Sequence, residues 1–325
     1  MGWKDTKMNN PIFFVYEVTP NCNNNCIYCY NVWKERKDYP SGQLELPQVK
    51  ELFGNLCKEV KPSGVTLTGG EPMLRSDIFE IASFIKGLGV TVGMATNGTL
   101  LDEGKIKKLI DCGVSFFEIS LVSLDKKRYS ELSGNDKLAE VKRAILCIRK
   151  TMIPLTVSFT ITKFNLTDIS DFIDLCFAFS IKHVALNRFV PGGRGLGHLD
   201  ELSVDPGRLK SALKIANEKA AKYRLPISVT IPVEPCLIDH KDYPHLRFGS
   251  CVCGRNKWAI DPLGNLRTCE QNPEILGSLF EKSFIELSNM PMAEKFRNNN
   301  FKSGCTDCPV FKNCGGGCRF LRRQS

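Results

Sequence analysis

The stretch CNNNCIYCYNV, residues 22–32, directly follows the apolar run IFFVYEV at residues 12–18. Its three cysteines, Cys22, Cys26 and Cys29, have the spacing Cx3Cx2C. A [4Fe–4S] cluster has four irons, each normally bound by a cysteine thiolate, so three cysteines leave one iron open for chemistry. Zinc is the alternative, but a structural zinc takes four ligands and no histidine lies near this loop.

The composition excludes several classes of protein. Fifteen cysteines occur in 325 residues, and clustered cysteines in a reducing compartment bind metal more often than they form disulfides. No apolar run approaches the roughly 20 residues of a membrane helix, and the start MGWKDTKMNNP lacks the apolar segment of a secretory signal. We therefore predict a cytoplasmic protein without a membrane partner.

The net charge of +9 leaves two interpretations open. It favours an acidic partner or an anionic substrate, or it reflects only a solvated basic surface. No basic stripe with interleaved aromatic residues indicates a nucleic-acid partner, so none is expected.

Apolar strand-like runs alternate with amphipathic helix-like segments in the first part of the chain. The strand candidates cover residues 12–18, 65–68, 90–96, 114–120, 155–162 and 183–189. Near-continuous apolar strands separated by helices predict a parallel sheet covered on both faces. We predict an α/β fold, a partial (β/α)6 barrel of parallel strands with its reactive residues at the C-terminal strand ends.

The pattern changes after residue 189. The glycine-rich loop VPGGRGLG and the helix-like segment LKSALKIANEKAAKY come first, and the chain is loop-rich from about residue 232, with a hairpin signal at WAIDPLGNLRTC. This last part holds too little hydrophobic material for a core of its own. We therefore divide the chain into a core at residues 1–225 and a small loop-rich extension at residues 226–325.

A second motif makes the cysteine loop recognisable. The second strand ends in TGGEP, residues 68–72. This motif, after a Cx3Cx2C loop with an aromatic residue (Tyr28) before its last cysteine, resembles the radical S-adenosylmethionine (SAM) enzymes, and the resemblance extends to about residue 320. It implies that SAM binds the open iron and that the reduced cluster splits SAM. The resulting 5′-deoxyadenosyl radical then takes hydrogen from a substrate, while the protein orients and shields the cofactor.

The resemblance also implies roles for residues at the strand ends, although it assigns no catalytic side chain. Gly69 and Gly70 lack Cβ and let the backbone approach the ligand, and Pro72 fixes the turn. Glu71 accepts a hydrogen bond from the SAM ammonium, or holds the loop that does. Further cofactor contacts are expected at Tyr28, Asn97, Ser120 or Ser123, and Arg188. Ordinary loop hydrogen bonding is the alternative for Asn97, Ser120 and Arg188.

The extension carries a second group of cysteines, in CVCGRNKWAIDPLGNLRTC and CTDCPVFKNCGGGC. This combination resembles the SPASM extension of radical SAM enzymes, which carries two auxiliary [4Fe–4S] clusters. The resemblance implies one cluster on Cys269, Cys318 and two of Cys236, Cys251 and Cys253. It implies another cluster on Cys305, Cys308 and Cys314. Metal binding would then hold a core-poor segment in place.

The second auxiliary cluster departs from the family pattern, because the sequence after Cys318, RFLRRQS, lacks the usual downstream cysteine. One or two auxiliary clusters therefore stay open as alternatives. In the second cluster, another ligand such as Cys236 would bind the fourth iron, or that iron would stay open. The remaining alternative is that this cluster does not assemble. Four cysteines stand singly in or beside helical patterns and are read as structural thiols: Cys57, Cys112, Cys147 and Cys176.

The substrate class rests on the resemblance alone. SPASM-type enzymes mostly modify peptides or proteins, and others of similar architecture process tetrapyrroles. We therefore predict a radical SAM oxidoreductase or maturase acting on a peptide or protein side chain. A tetrapyrrole or other small-molecule side chain is the alternative. A non-catalytic iron–sulfur electron carrier is the competing class, against which TGGEP argues.

Partner proteins are also expected. The cluster needs an electron donor such as a flavodoxin or ferredoxin. Only about ten residues precede the first strand, so we expect a separate leader-recognition protein or direct binding of the substrate.

Overall fold

Six βα units follow one another in the computed structural model, which describes residues 11–34, 38–298, 304–305 and 307–321. Their strands are β1 (Phe13–Glu17), β2 (Gly64–Thr68), β3 (Thr91–Thr96), β4 (Val114–Ser120), β5 (Leu155–Ile161) and β6 (His183–Arg188). The ends of all six lie within one residue of the predicted ends. Neighbouring strands from β1 to β6 pair in parallel and in sequence order. The predicted α/β class with a parallel sheet is confirmed.

Helices separate these strands. They are α1 (Leu46–Val60), α2 (Ile78–Gly87), α3 (Glu103–Asp111), α4 (Lys126–Ser133), α5 (Leu138–Arg149), α6 (Ile169–Ala178), α7 (Leu199–Leu202) and α8 (Pro206–Tyr223). Local sequence sets their ends: the carboxylate of Asp205 accepts from the amide of Arg208 at the start of α8, and Gly134 (φ 74°) ends α4. None of the described helices is long and apolar enough to cross a membrane.

The extension lengthens the same sheet at both edges. Strands β7 (Ile227–Val229) and β8 (Leu246–Phe248) continue it in parallel beyond β6. Strand β9 (Lys257–Ile260) pairs in parallel with β1, and β10 (Asn265–Arg267) and β11 (Ile275–Ser278) follow in antiparallel pairing. The β9–β10 pair is the hairpin predicted at WAIDPLGNLRTC. The boundary near residue 225 stays a prediction.

The apolar side chains of the extension complete the main core. Three further helices, α9 (Phe284–Ser288), α10 (Pro291–Asn298) and α11 (Phe311–Cys314), follow the strands. The ring of Phe284 meets those of Phe14 and Trp258 edge-on, with centroids 5.3 and 5.4 Å apart. All three rings are buried in one hydrophobic cluster. The extension therefore does not depend on metal alone, because it shares the core of the barrel.

Candidate active site

The loop between β1 and α1 carries Cys22, Cys26 and Cys29, and its polar groups face the sulfurs. The amide of Asn24 donates to Cys22 Sγ at 3.4 Å, and the Asn24 side-chain amide donates to Cys26 Sγ at 3.9 Å. Burial raises the pKa of all three thiols, that of Cys26 to about 12. The three thiols are half-buried on one loop, and as thiolates they are a donor set that fits an iron–sulfur cluster.

We name residues 18–32 the cluster loop. The end of α4 supports it, because Ser133 and Leu132 accept backbone hydrogen bonds from Asn25 and Ile27 at 2.9 and 3.1 Å. The glycine-rich loop predicted after β6 packs on its other side: the amide of Gly195 donates to the carbonyl of Cys29 at 3.1 Å. The VPGGRGLG segment therefore shapes the cluster loop.

The TGGEP motif binds the cluster loop through its backbone. The amides of Gly70 and Glu71 each donate at 2.7 Å, to the carbonyls of Thr19 and Asn21 respectively. A Cβ on Gly70 would lie 2.0 Å from the Asn21 oxygen, and one on Gly69, at φ 129°, would lie 2.5 Å from the Thr19 oxygen. Because Gly69 and Gly70 lack Cβ, the backbone of the cluster loop can pack closely against them.

Glu71 holds the strand ends together. It is fully buried, and its carboxylate accepts from the Met73 amide at 3.1 Å, the Thr96 hydroxyl at 2.7 Å and the Asn97 amide at 2.9 Å. Burial raises the pKa of this carboxyl, against the effect of these donors. Of the two roles expected for Glu71, the geometry favours holding the loop. Pro72 begins the short 3-10 helix Pro72–Leu74 and is buried, in keeping with the predicted turn.

One cavity of about 450 Å³ lies at the C-terminal ends of the strands. Of the residues predicted to contact the cofactor, six line it: Tyr28, Gly69, Gly70, Asn97, Ser120 and Arg188. The three cysteines of the cluster loop line it as well. The sheet thus brings the two sequence motifs to one site, as parallel strands require.

Two of the expected contacts, Asn97 and Arg188, have partners within the protein. The side chain of Asn97 donates to Asn23 at 2.9 Å and accepts from Thr99. The guanidinium of Arg188 donates twice to Glu234, at 3.0 and 3.2 Å, and only its buried Nε has no hydrogen-bond partner in the described part of the chain. A fork contact from Arg188 to SAM would therefore have to displace Glu234.

The two candidate serines differ. The Ser120 side chain is exposed to the cavity, with its hydroxyl 3.5 Å from that of Ser158. Ser123 is fully buried and donates to the carboxylate of Asp168. The geometry therefore favours Ser120 as the ligand contact, and Ser123 as a structural residue.

The same cavity is lined by the extension cysteine group, which we define as Cys251, Cys253, Cys269 and Cys318. The thiol of Cys253 is hydrogen-bonded to those of Cys251 and Cys269, and burial raises the pKa of Cys318. Ligand atoms of Cys253, Cys269 and Glu270 lie within 4.8 Å of one another. Four buried or half-buried thiols lining one cavity are a donor set that suits one iron–sulfur cluster.

The other predicted cysteine ligands lie outside this cavity. Cys236 is exposed. Cys305, Cys308 and Cys314 are half-buried on the turns before and in α11, where the amide of Cys308 donates to the carbonyl of Cys305 at 3.3 Å. Whether these four form a second auxiliary site stays a prediction. Of the single cysteines, Cys176 is buried, and Cys57, Cys112 and Cys147 are half-buried.

Two family models match this chain. Residues 16–176 match the Radical SAM superfamily, and residues 251–309 match SPASM, an iron-sulfur cluster-binding domain. A protein described as "Probable GTP 3′,8-cyclase" from Sulfolobus acidocaldarius is 31% identical over 264 residues, 78% of this chain and 79% of the relative. The chain belongs to the radical SAM superfamily.

Other relatives span nearly the whole chain and differ in activity. "AdoMet-dependent heme synthase" of Methanosarcina barkeri is 28% identical over 96% of this chain and 92% of its own length. "PqqA peptide cyclase" of Bradyrhizobium diazoefficiens is 24% identical over 95% and 81%. The crystal structure of Streptococcus suis SuiB bound to the precursor peptide SuiA has the same fold, with a TM-score of 0.73 and 18% identity over 95% of this chain and 72% of that one.

Membership of this superfamily confirms the predicted class of enzyme and its cofactors. A radical SAM enzyme with a SPASM domain uses a [4Fe–4S] cluster, SAM and auxiliary clusters. The individual ligands and contact residues remain predictions that rest on the geometry above.

Sequence reasoning missed a polar floor in the cavity of this radical SAM enzyme. Glu118 lies there beside Ser158, whose hydroxyl donates to its carboxylate, and burial raises its pKa. Lys257 and Glu270 form an ion pair at 2.6 Å in the same cavity. The signal was available for Glu118, since in VSFFEIS it stands two residues before Ser120 and so shares its face of the strand.

Proposed function

We propose that the enzyme abstracts hydrogen from a peptide or protein side chain as part of a maturation reaction. The observation that carries this proposal is the shared cavity, because both the cluster loop and the extension cysteine group line it. A substrate group that enters this cavity therefore lies in a space that both sites border. Such an arrangement suits a reaction in which the substrate gives up a hydrogen atom and then an electron.

The size of the cavity supports a substrate that inserts only one side chain. Pockets for a single drug-sized ligand measure about 300–1,000 Å³, and this cavity of about 450 Å³ must also hold SAM. Little room is left for the body of the substrate. A larger molecule lying across the mouth and extending one side chain inward fits this space.

The bound cluster and SAM supply the 5′-deoxyadenosyl radical. The residues of this chain would hold and orient them: Cys22, Cys26 and Cys29 would bind three irons, and Ser120, which lines the cavity, would contact SAM. Glu118 and the pair of Lys257 with Glu270 form a polar floor that would orient a polar substrate group. Buried apolar residues of the lining, Val190 and Phe320, cluster with Cys318 and would help to exclude water.

A tetrapyrrole side chain is the second candidate. It is favoured by the relative named a heme synthase, which is similar over nearly the full length of both chains. A propionate at the rim of a macrocycle also enters the cavity as one side chain of a larger molecule. A non-catalytic electron carrier is disfavoured, because such a protein has no use for a SAM site at TGGEP.

Deuterium transfer tests the substrate class. The reconstituted enzyme would be incubated anaerobically with SAM and either a deuterated peptide that co-purifies with it or a porphyrin deuterated in its propionate side chains. We expect deuterium in 5′-deoxyadenosine, measured by mass spectrometry, with the peptide only. Transfer from the porphyrin and none from the peptide would reverse the assignment.

The partners belong to the same proposal. A flavodoxin or ferredoxin would reduce the cluster, and a separate leader-recognition protein would deliver a peptide. A cytoplasmic location, where thiols stay reduced, suits the cysteine content of the chain.

A further inference from the structure

We propose that three arginines of the extension, Arg267, Arg297 and Arg319, are positioning residues for an auxiliary cluster on the extension cysteine group. They fix the cysteine loops through backbone carbonyls, and their positive charge favours the reduced cluster. This inference rests on the proposed ligands of that cluster. It concerns side chains that no sequence motif singled out.

Arg319 joins the last cysteine of the group to the first. It follows Cys318 directly in the sequence, and its side chain is 1% exposed. Its Nη1 donates to the carbonyl of Cys251 at 2.8 Å, and its Nε donates to the carbonyl of Arg297 at 3.3 Å. One guanidinium thus ties together segments that lie 68 residues apart in the chain.

Arg297 supports the turn after Cys253. It lies on α10, and its Nη1 donates to the carbonyl of Gly254 at 3.1 Å and to that of Ser288 at 2.7 Å. Because Arg319 also bonds to the backbone of Arg297, the two arginines form one connected support under Cys251 and Cys253.

Arg267 supports the turn after Cys269. It is fully buried, and its Nη1 donates to the carbonyls of Glu270 and Asn272 at 3.0 and 3.1 Å. Its Nη2 bonds to the carboxylate of Glu17 on β1. The turn that carries Cys269 is therefore anchored to the first strand of the barrel.

The three arginines differ in how far nearby carboxylates neutralise their positive charge. Glu17 offsets Arg267, just as Glu270 offsets Lys257. In the described part of the chain, by contrast, no carboxylate forms an ion pair with Arg319 or Arg297, and both donate to carbonyls. Arg319 therefore remains a cation beside a site that would hold an anionic cluster, while Glu294 offsets the charge of Arg297 in part. Net charge and hydrogen bonding around a cluster set its reduction potential, and added positive charge raises it.

The test is a redox titration followed by electron paramagnetic resonance on the reconstituted full chain, without SAM or substrate. Because SAM and substrate are both absent, the measured potential does not depend on radical activity. This proposal can therefore fail while the proposed function holds, and the proposed function can fail while this proposal holds. The signal of this cluster is identified as the one that Cys269→Ser removes. In Arg319→Gln we expect its potential to fall by ~59 mV, equivalent to about a tenfold lower ratio of reduced to oxidised cluster. In Arg319→Lys, which keeps the charge, we expect a potential close to that of the wild type.

Arg149→Gln is the matched control, because Arg149 also donates to a backbone carbonyl, that of Phe179, but lies on α5. It should leave the potential unchanged. A wild-type potential in Arg319→Gln, or an equal fall in Arg149→Gln, overturns the proposal. If the Arg319→Gln variant does not assemble the cluster, the potential is measured in Arg297→Gln instead, because Arg297 is partly exposed. A lower potential in Arg297→Gln supports the proposal, and an unchanged one overturns it.

Discussion

At the scale of single residues, Glu71 shows how a motif position acquires its role from burial. All three of its hydrogen bonds come from within the protein, and they tie the end of β2 to the end of β3. The carboxylate is not among the residues lining the cavity. We therefore propose that any contribution of Glu71 to SAM binding is indirect, through the position of Asn97 and Gly70.

The first prediction concerns Glu71→Gln. A glutamine keeps one acceptor oxygen but turns an NH2 group toward a donor, so at least one hydrogen bond to the former carboxylate is lost. We expect a loss of about 1.5–3 kcal/mol in the free energy of unfolding, measured by denaturant titration. The exposed Glu80→Gln is the control. Wild-type stability together with abolished SAM binding would instead mean that Glu71 contacts SAM directly.

The second prediction separates Ser120 from Ser123. Ser120→Ala removes a hydroxyl that faces the cavity, so we expect weaker SAM binding, by about 0.5–1.5 kcal/mol, with unchanged unfolding. Ser123→Ala leaves the buried Asp168 short of a donor and should lower stability with little effect on SAM binding. Isothermal titration and thermal unfolding measure the two effects. An exchange of the two phenotypes would place the SAM contact at Ser123.

At the scale of elements, two glycine-rich segments enclose the cluster loop. TGGEP packs on its beginning and the VPGGRGLG loop on its end. Gly193 has φ 48°, and a Cβ there would lie 2.3 Å from the carbonyl oxygen of Asn31. The conformation of the cysteines therefore depends on a glycine more than 160 residues away in the sequence.

The third prediction follows from that contact. Gly193→Ala forces a side chain into backbone, so the cluster loop must shift and the cluster at Cys22, Cys26 and Cys29 should be lost in most molecules. Iron analysis and electron paramagnetic resonance measure the loss. Gly197→Ala is a matched control in the same loop, since no atom lies within 4 Å of a Cβ at that position. Full iron content in both variants would show that the loop does not support the cluster.

The elements were more predictable from the sequence than the contacts. Apolar runs bounded by turns marked all six barrel strands, because burial on both faces of a parallel sheet demands such runs. The role of Gly193, and of Glu118 beneath Ser120, depends on side chains brought together by tertiary packing. No local pattern states which backbone will lie against a glycine, or which inward polar residue will face a cavity.

At the scale of the whole molecule, the extension and the barrel share one sheet and one core. Strand β9 pairs with β1, and the ring of Phe284 packs on Phe14. The shortage of apolar residues in the extension predicted that something else must hold it. The barrel supplies part of that support, which a count of residues in the extension alone does not reveal.

The fourth prediction concerns the number of clusters. Three full clusters mean about twelve irons per chain and two mean about eight, at four irons for each [4Fe–4S] unit. We expect about twelve. With the extension cysteine group complete, Cys236 is the remaining cysteine of the extension that can join Cys305, Cys308 and Cys314, so Cys236→Ala should lose iron.

Cys57→Ala is the control for that experiment, because Cys57 lies alone on α1. Wild-type iron near eight, unchanged in Cys236→Ala, would contradict a second auxiliary cluster. It would leave Cys305, Cys308 and Cys314 as a partial site.

The central claim is that Cys22, Cys26 and Cys29 form the site where SAM is cleaved, apart from the extension cysteine group. Formation of 5′-deoxyadenosine under dithionite tests it most directly, in the reconstituted wild type and in the variant with all three cysteines replaced by alanine. We predict that the wild type cleaves SAM, and that the variant makes no 5′-deoxyadenosine while keeping its auxiliary iron. Continued formation of 5′-deoxyadenosine by the triple variant would contradict the claim.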